Sequence, residues 1–475
     1  MTFIMMDFSV MIEDAVEQFR RISCLSQKVI RIIGNTDTDG VSAASILIQT
    51  FRRMDLRFAV SMVKQLDHAT LSTFARESYD VFFFLDLGSG CITKIHQILP
   101  DKCVLILDHH PPESSDSFDN IVHVNPYLCN VDGTRDISAA GVTYFFSVAL
   151  SPRNRDLSYL ALLGAVGDAQ GHSGFSRFNA SILQDALART IVVVQEGVRI
   201  YGITTKPLYK VLEYSTNPYI PGVCGNEGGA IKFLDTLGIR YRDGLSYRRY
   251  ADLDKEEAKR FISAVMMNKI NPEESVPESI YGTIYFVHGE EEDSPTHELY
   301  EFSTLLNCCG KLGKASFGVG TCLGDVTLRE KALTLLYQYR NNIIDALQWF
   351  YSSRGTEHVL ELSGATVVNA GERVPDTIIG VLTSLISKSL VYPEGSVVIG
   401  MARTAGDDIK LSFRVSGFGE GLVDLRVLVQ DVIDRVGGTG GGHRLAAGAT
   451  IPQQKEKEFL QFIHESFFRP TIPTT

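Results

Sequence analysis

Asp108, His109 and His110 stand directly after an apolar run, residues 104–107, and Pro111 and Pro112 then stop any regular element from continuing. Apolar runs of this length bounded by breakers read as buried strands of a parallel sheet. In open α/β sheets, ligands gather just beyond the carboxyl ends of such strands. One carboxylate and two imidazoles at that point combine hard oxygen and borderline nitrogen donors, a set that suits a divalent metal. Three more segments are built alike. Residues 29–33 form a β-branched run that breaks at Gly34 and leads to Asn35, Asp37 and Asp39, with Gly40 free to take positive φ. Residues 81–85 end in Asp86, followed closely by Gly88. Residues 162–167 form an apolar segment that delivers Asp168. Any one of these acids could be a turn former or a helix cap. Four such segments within the first 170 residues point instead to a metal centre.

The elements that must position these groups alternate. An amphipathic helix over 7–24 opens the chain, with Val10, Met11, Ala15, Val16, Phe19 and Ile22 at helical spacing. A strand at 29–33, a helix over 41–54, a strand at 56–63 and a helix over 70–77 follow. Strands at 81–87 and 103–108 then flank a helix over 91–99. This order predicts a parallel sheet. Ser138, Ala139, Ala140 and Gly141 open a further helix, whose first amides either hold a phosphate or simply permit close helix packing. His172 reads as a loop histidine, with substrate contact as the alternative.

From about 205 to 353 the pattern turns helical, as over 328–350, with solvated acidic clusters at 252–257 and 290–293. Strands return at 359–362, 365–369, 396–402 and 408–415. A glycine loop at 437–442, including Gly440, Gly441 and Gly442, leads into His443. Consecutive glycines let backbone amides approach a phosphate. On the preceding strand, alternation puts Lys410, Ser412 and Arg414 on one face, either as donors to a phosphate backbone or as an ordinary solvated face.

A chain of 475 residues exceeds one ordinary core and predicts two or three domains. The net charge of −11 has the wrong sign for a protein that coats nucleic acid through bulk electrostatics. It does not count against a metallonuclease, in which bound dications and a few local arginines meet the phosphates. Eight cysteines without a Cys-x-x-Cys pattern argue for reduced thiols. No apolar run reaches transmembrane length, and the N-terminus lacks the pattern of a signal peptide, so a cytoplasmic protein with no membrane partner is expected.

Asp37-Thr38-Asp39-Gly40, Asp86, Asp108-His109-His110 and Gly167-Asp168 occur in the order of the four signature motifs of the DHH phosphoesterase superfamily, which this chain resembles. The stretch from Gly437 to Arg444, with Ala446, Ala447 and Gly448, is similar to the Gly-Gly-Gly-His signature of the DHH-associated domain. Residues 213–222 and 305–314 resemble the archaeal RecJ-like single-strand exonucleases. The resemblance implies an α/β fold: a parallel-sheet DHH domain over 1–204, a mainly helical insertion over 205–353, and a smaller α/β DHH-associated domain over 354–475 facing the first across a cleft. It also implies two divalent ions, manganese preferred over magnesium. Asp86 would bridge them, with Asp37 at the first and Asp39, His109 and Asp168 at the second. Asp108 would orient His109, and His110 would contact the scissile phosphate. Ser412, Arg414, Gly440, Gly441, Gly442 and His443 would hold the substrate. Where the family usually has Asp or His as a further ligand, this chain has Asn35, a poorer donor. The implied activity is a single-strand exonuclease on DNA, and on RNA as a further substrate, releasing nucleoside monophosphates. The alternatives are a phosphodiesterase for short oligoribonucleotides or cyclic dinucleotides, and a scaffold for replication proteins such as the GINS complex.

Overall fold

A computed structural model describes residues 7–25, 29–171, 174–215, 218–267, 280–389, 391–417 and 423–467. His172 lies outside them. The first part of the chain runs α1 (Phe8–Leu25), β1 (Ile30–Asn35), α2 (Thr38–Arg53), β2 (Phe58–Val63), α3 (His68–Ala75), β3 (Val81–Leu85), α4 (Ile92–Ile98), β4 (Cys103–Leu107) and β5 (Ile121–Val124). Helices α5 (Ala139–Leu150), α6 (Ser158–Gly167) and α7 (Arg177–Ala188) follow, then β6 (Val192–Val198). Next come α8 (Leu208–Tyr214), α9 (Glu227–Thr236), a short hairpin of β7 (Arg242–Asp243) and β8 (Ser246–Tyr247), and α10 (Lys255–Met267). β9 (Tyr281–Val287), α11 (Leu299–Lys311), α12 (Ala315–Cys322) and α13 (Val326–Ser353) lead to the last part. That part holds β10 (Val359–Glu361), β11 (Ala365–Asn369), α14 (Asp376–Lys388), β12 (Val397–Arg403), β13 (Asp408–Val415), α15 (Leu425–Val436), β14 (Thr439–Gly442), β15 (Ala446–Pro452) and α16 (Glu456–Phe467).

The chain forms two compact units: residues 1–199 with 281–336, and residues 200–280 with 337–475. The segment 205–353, expected as one insertion, is thus shared between them.

The first unit is built on a parallel five-stranded sheet of order β2-β1-β3-β4-β5. Strand β3 shows why both faces must be covered. Its side chains alternate, so Phe83 packs against Phe19, Phe51 and Phe146 on one face. Phe82 and Phe84 meet Phe74, with Leu71, Ile92 and Ile95 in the same cluster, on the other. Each of these phenylalanines is fully buried or nearly so, a contribution of about 1.5–3 kcal/mol apiece. One expectation changes: the segment delivering Asp168 is the helix α6, not a strand. Its Gly164 lets α6 approach α2 and α5 closely, since a Cβ there would stand 2.5 Å from Ala140 Cβ.

The second unit carries a mixed six-stranded sheet of order β10-β11-β12-β13-β15-β14. Ile399, Met401, Leu411 and Phe413 pack with α15 and α16 on one face. Helix α14 lies on the other, where Gly400 admits Thr383. The glycines expected as a loop form an edge strand instead: β14 pairs antiparallel with β15, Gly440 opposite Ala449 and Gly442 opposite Ala447.

Candidate metal centre

The acids converge because three parallel strands end side by side. Asp37 follows β1 and caps α2, its Oδ1 accepting the Gly40 amide at 3.0 Å. Two residues on, Asp39 sits in the first turn of α2 and is fully buried. Its Oδ2 accepts the Ala139 amide at 2.6 Å and its Oδ1 the Ala140 amide at 2.9 Å. The helix N-terminus that could have held a phosphate therefore holds a carboxylate of the chain itself, a charge it favours equally. Gly164 is the condition for this: a Cβ at that position would stand 2.2 Å from Asp39 Oδ1.

Asp86 follows β3 with φ of 59°, a left-handed conformation that Asp tolerates better than most residues. Its side chain is buried, and neither carboxylate oxygen has a hydrogen-bond partner. His109 follows β4. Its Nδ1 lies 2.7 Å from Gly133 O, so Nδ1 carries the proton and donates it to that carbonyl. Nε2 then faces Asp168 Oδ2 at 3.1 Å, Asp86 Oδ1 at 3.4 Å and Asp39 Oδ2 at 3.7 Å. Asp168, at the C-cap of α6, also leaves its buried Oδ2 unpartnered.

Among the described residues, two sets each bring their donor atoms within 4.8 Å of one another: Asp39, His109 and Asp168, and Asp86, His109 and His110. Asp37 belongs to neither set, although its carboxyl, raised chiefly by burial, feels the charge of Asp168. Burial first, then the charge of Asp168, pushes Asp39 up to about 7. Burial and then Asp37 push Asp86 well above the carboxylate range. For His109, burial opposes the charge, but the surrounding carboxylates outweigh it and raise the imidazole. Such a cluster is poorly satisfied by itself. With His109 neutral, three buried carboxylate oxygens lack donors and face its Nε2 lone pair. Hard oxygens with one imidazole suit a divalent cation such as Mn²⁺ or Mg²⁺.

Asp108, expected to orient His109, instead holds the ring of His110. Its Oδ1 accepts His110 Nδ1 at 2.8 Å together with the amides of His109 and His110, and its Oδ2 accepts the Ser89 amide. Burial would raise this carboxyl, but the His110 bond and the other donors hold it well below the usual range. The Asp108 bond in turn raises His110. Asn35 turns inward, its Nδ2 donating to Asp37 Oδ2 at 3.1 Å and its Oδ1 accepting the Thr36 amide.

Sequence reasoning passed over the supporting layer. Asn125 Nδ2 reaches both Ser89 Oγ, at 2.8 Å, and His110 O, at 2.9 Å. Ser89 Oγ meets His123 Nε2 at 2.9 Å, on an imidazole that burial pushes down to about 4 and so keeps neutral. Only Asn125, a polar residue just after β5, left a signal in the pattern. Gly133 left none.

The substrate-binding residues expected in the second unit divide. Gly440, Gly441, Gly442 and His443 are exposed. A Cβ at Gly440 or Gly442 would collide with β15, whereas Gly441 faces open space. Ser412 is buried, with its Oγ 3.8 Å from where a Cβ on Gly380 of α14 would stand, so the row from Lys410 to Arg414 is not a continuous exposed face. Arg414 is half-buried and spends Nη1 on Phe413 O and Ala447 O.

Family models match three stretches: the DHH family N-terminal domain over 29–165, the DHH-CID domain over 200–280 and the DHHA1 domain over 365–467. An uncharacterized protein of Methanocaldococcus jannaschii is 30% identical over 447 residues, 92% of each chain. Among solved structures, exonuclease RecJ bound to manganese is 15% identical with a TM-score of 0.57, over 97% of this chain and 95% of that one. CDC45 from Entamoeba histolytica is 13% identical with a TM-score of 0.66, over 96% of this chain and 99% of that one. At such identities the two structures speak for the fold. Signature acids at the ends of parallel strands, three matched domains in order and a relative matched along nearly its whole length lead to one assignment: the chain belongs to the DHH family and has the RecJ-like fold.

Proposed function

We propose that this protein is a metal-dependent phosphodiesterase that acts as a single-strand-specific exonuclease on DNA, with RNA as a further substrate, and releases nucleoside monophosphates. The observation that carries this is the set of buried, partnerless oxygens of Asp86 and Asp168 around His109 Nε2. In this reading Asp37, Asp39, Asp86, His109 and Asp168 would hold two divalent ions, and Asn35 would be a weak further donor. Solved RecJ structures are named with manganese and with magnesium, and the imidazole among the oxygen donors makes manganese the preferred ion in this reading. Bound dications supply acidity to a water at neutral pH and offset charge on the phosphoryl oxygens. The chain's own groups do the rest. Gly133 fixes the His109 tautomer, leaving Nε2 as the donor atom. Asp108 holds His110 at Nδ1 and favours its charged form, so that the half-exposed ring can offer Nε2–H to a phosphate oxygen. In the second unit, the amides around Gly441 and the His443 ring hold a phosphate.

Among the described residues, no helix is long and apolar enough to cross a membrane, and the proposed partners are single-stranded nucleic acid and replication proteins such as GINS, in the cytoplasm. The test is purified protein with Mn²⁺ and end-labelled oligonucleotides of DNA and RNA, with products resolved by length. Mononucleotides from single strands, lost on chelation, support the reading. Hydrolysis confined to dinucleotides or cyclic dinucleotides favours the small-substrate alternative. Absence of any metal-dependent product leaves a scaffold.

A further inference from the structure

The first amides of a helix have no partner inside it. In α2, Asp37 takes the Gly40 amide, but the Thr38 amide is taken from far along the chain: Asn307 Oδ1 of α11 accepts it at 3.2 Å. Thr38 Oγ1 donates to Ser303 O at 2.9 Å. A Cβ on Gly310 would stand 1.8 Å from Thr36 O, so α11 lies directly on the loop. At the other end of the same helix face, Tyr300 Oη donates to Gly171 O at 3.3 Å, in the turn that follows Asp168. Residues 300, 303, 307 and 310 follow one another at steps of three and four, which places them on one side of α11. That side meets the residues on either side of Asp37 and the turn after Asp168.

We propose that α11 is the seat of the metal centre and that Asn307 is its positioning residue, holding the Thr38 amide so that Asp37 and Asp39 point inward together. Asn307 touches neither ion in this assignment; it acts through the backbone between two ligands. The inference rests on the metal-binding reading above, and deepens it by naming what orders the ligand loop before metal arrives.

The test compares the full-length wild type with Asn307→Ala, Asn307→Asp and Thr304→Ala. Thr304→Ala removes a bond within α11, Oγ1 to Tyr300 O, that does not reach the loop. Mn²⁺ affinity is read by calorimetry. In metal-free protein, amide exchange over residues 35–40 is read by mass spectrometry, and thermal unfolding is followed in chelator. Asn307→Ala should weaken Mn²⁺ binding about 10- to 100-fold, the usual cost of losing a group that supports a metal ligand. It should also speed exchange over 35–40 while unfolding remains cooperative. Asn307→Asp, which keeps an acceptor at the same place, should restore slow exchange and tight binding; Thr304→Ala should change neither. Unaltered affinity in Asn307→Ala, equal weakening in Thr304→Ala, or failure of Asn307→Asp to restore exchange each overturns the proposal. A wild type that takes up no Mn²⁺ sinks the metal reading and this inference with it. Normal uptake that is indifferent to Asn307 sinks this inference alone.

Discussion

The two sheets of this protein handle charge in opposite ways. In the first unit, parallel strands end together and carry carboxylates into a buried pocket, where Asp39 and Asp86 are held with raised affinity for protons. In the second, the feature that stands out is an exposed edge strand of glycines, whose polar groups belong to the backbone and carry no net charge. The first arrangement is costly without a cation, because buried like charges repel and lack donors. The second carries no such cost. Crowded carboxylates are thus confined to where the fold enforces burial, whereas the exposed backbone groups stand at a sheet edge.

The largest expected effect is at Asp86. Asp86→Asn should abolish metal-dependent hydrolysis, measured on end-labelled oligonucleotides. The same change should raise the unfolding midpoint of metal-free protein, because it removes a buried, repelled carboxylate while Asn suits the positive φ. Retention of near wild-type turnover would break the assignment of Asp86 as the shared ligand.

Acidity sharpens the contrast next. Asp39 and Asp86 have raised affinities in the folded chain, so between about pH 4 and 7 the native state binds more protons than the unfolded one. Stability of the metal-free protein should then fall as pH rises through that window. His109, also raised, acts in the same direction, its contribution being complete below about 6.5 and lost as pH climbs through its folded value. Asp108 is depressed, and its contribution is lost only in strong acid. Mn²⁺ requires deprotonated ligands, so the rise in melting temperature on adding it should be larger at pH 7.5 than at pH 5.5, by several degrees. A rise that shrinks with pH would contradict the proposed ligand set.

A smaller effect is expected at Asn35, which now donates to Asp37. Asn35→Asp or Asn35→His should lower the Mn²⁺ concentration for half-maximal activity, by about tenfold if a full ligand is gained. An unchanged titration in both would make Asn35 a turn residue only. The mildest changes belong to the second unit. His443→Ala should cut turnover of oligonucleotides several-fold while leaving a minimal activated phosphodiester and Mn²⁺ binding untouched. Gly441→Ala should fold normally, since its Cβ meets open space, whereas Gly442→Ala should loosen the edge strand against β15. Equal losses on both substrates in His443→Ala would move that residue into the chemical step.

Much of this arrangement was legible in the residue pattern, for a physical reason. A buried strand must be apolar, so the point where an apolar run meets an acid marks both the strand end and a candidate ligand, as at Asp86 and Asp108. Short apolar runs do not declare their period, which is why the segment before Asp168 reads as a strand although it is α6. Glycines have weak strand preference of their own, and β14 is a strand only because β15 pairs with it. The His110 bond to Asp108 could be read locally only as one option among several. The contacts of Gly133, Gly164 and Asn307 join residues distant in sequence, and no window along the chain contains both partners.

That distance has a consequence for how the protein comes into being. Thr38 and Asn307 are 269 residues apart. A nascent chain that has emerged through β6 already carries Asp37, Asp39, Asp86, His109 and Asp168, yet α11 has still to be synthesised. Until α11 is made and docks, the Thr38 amide lacks the acceptor that Asn307 gives it in the folded chain.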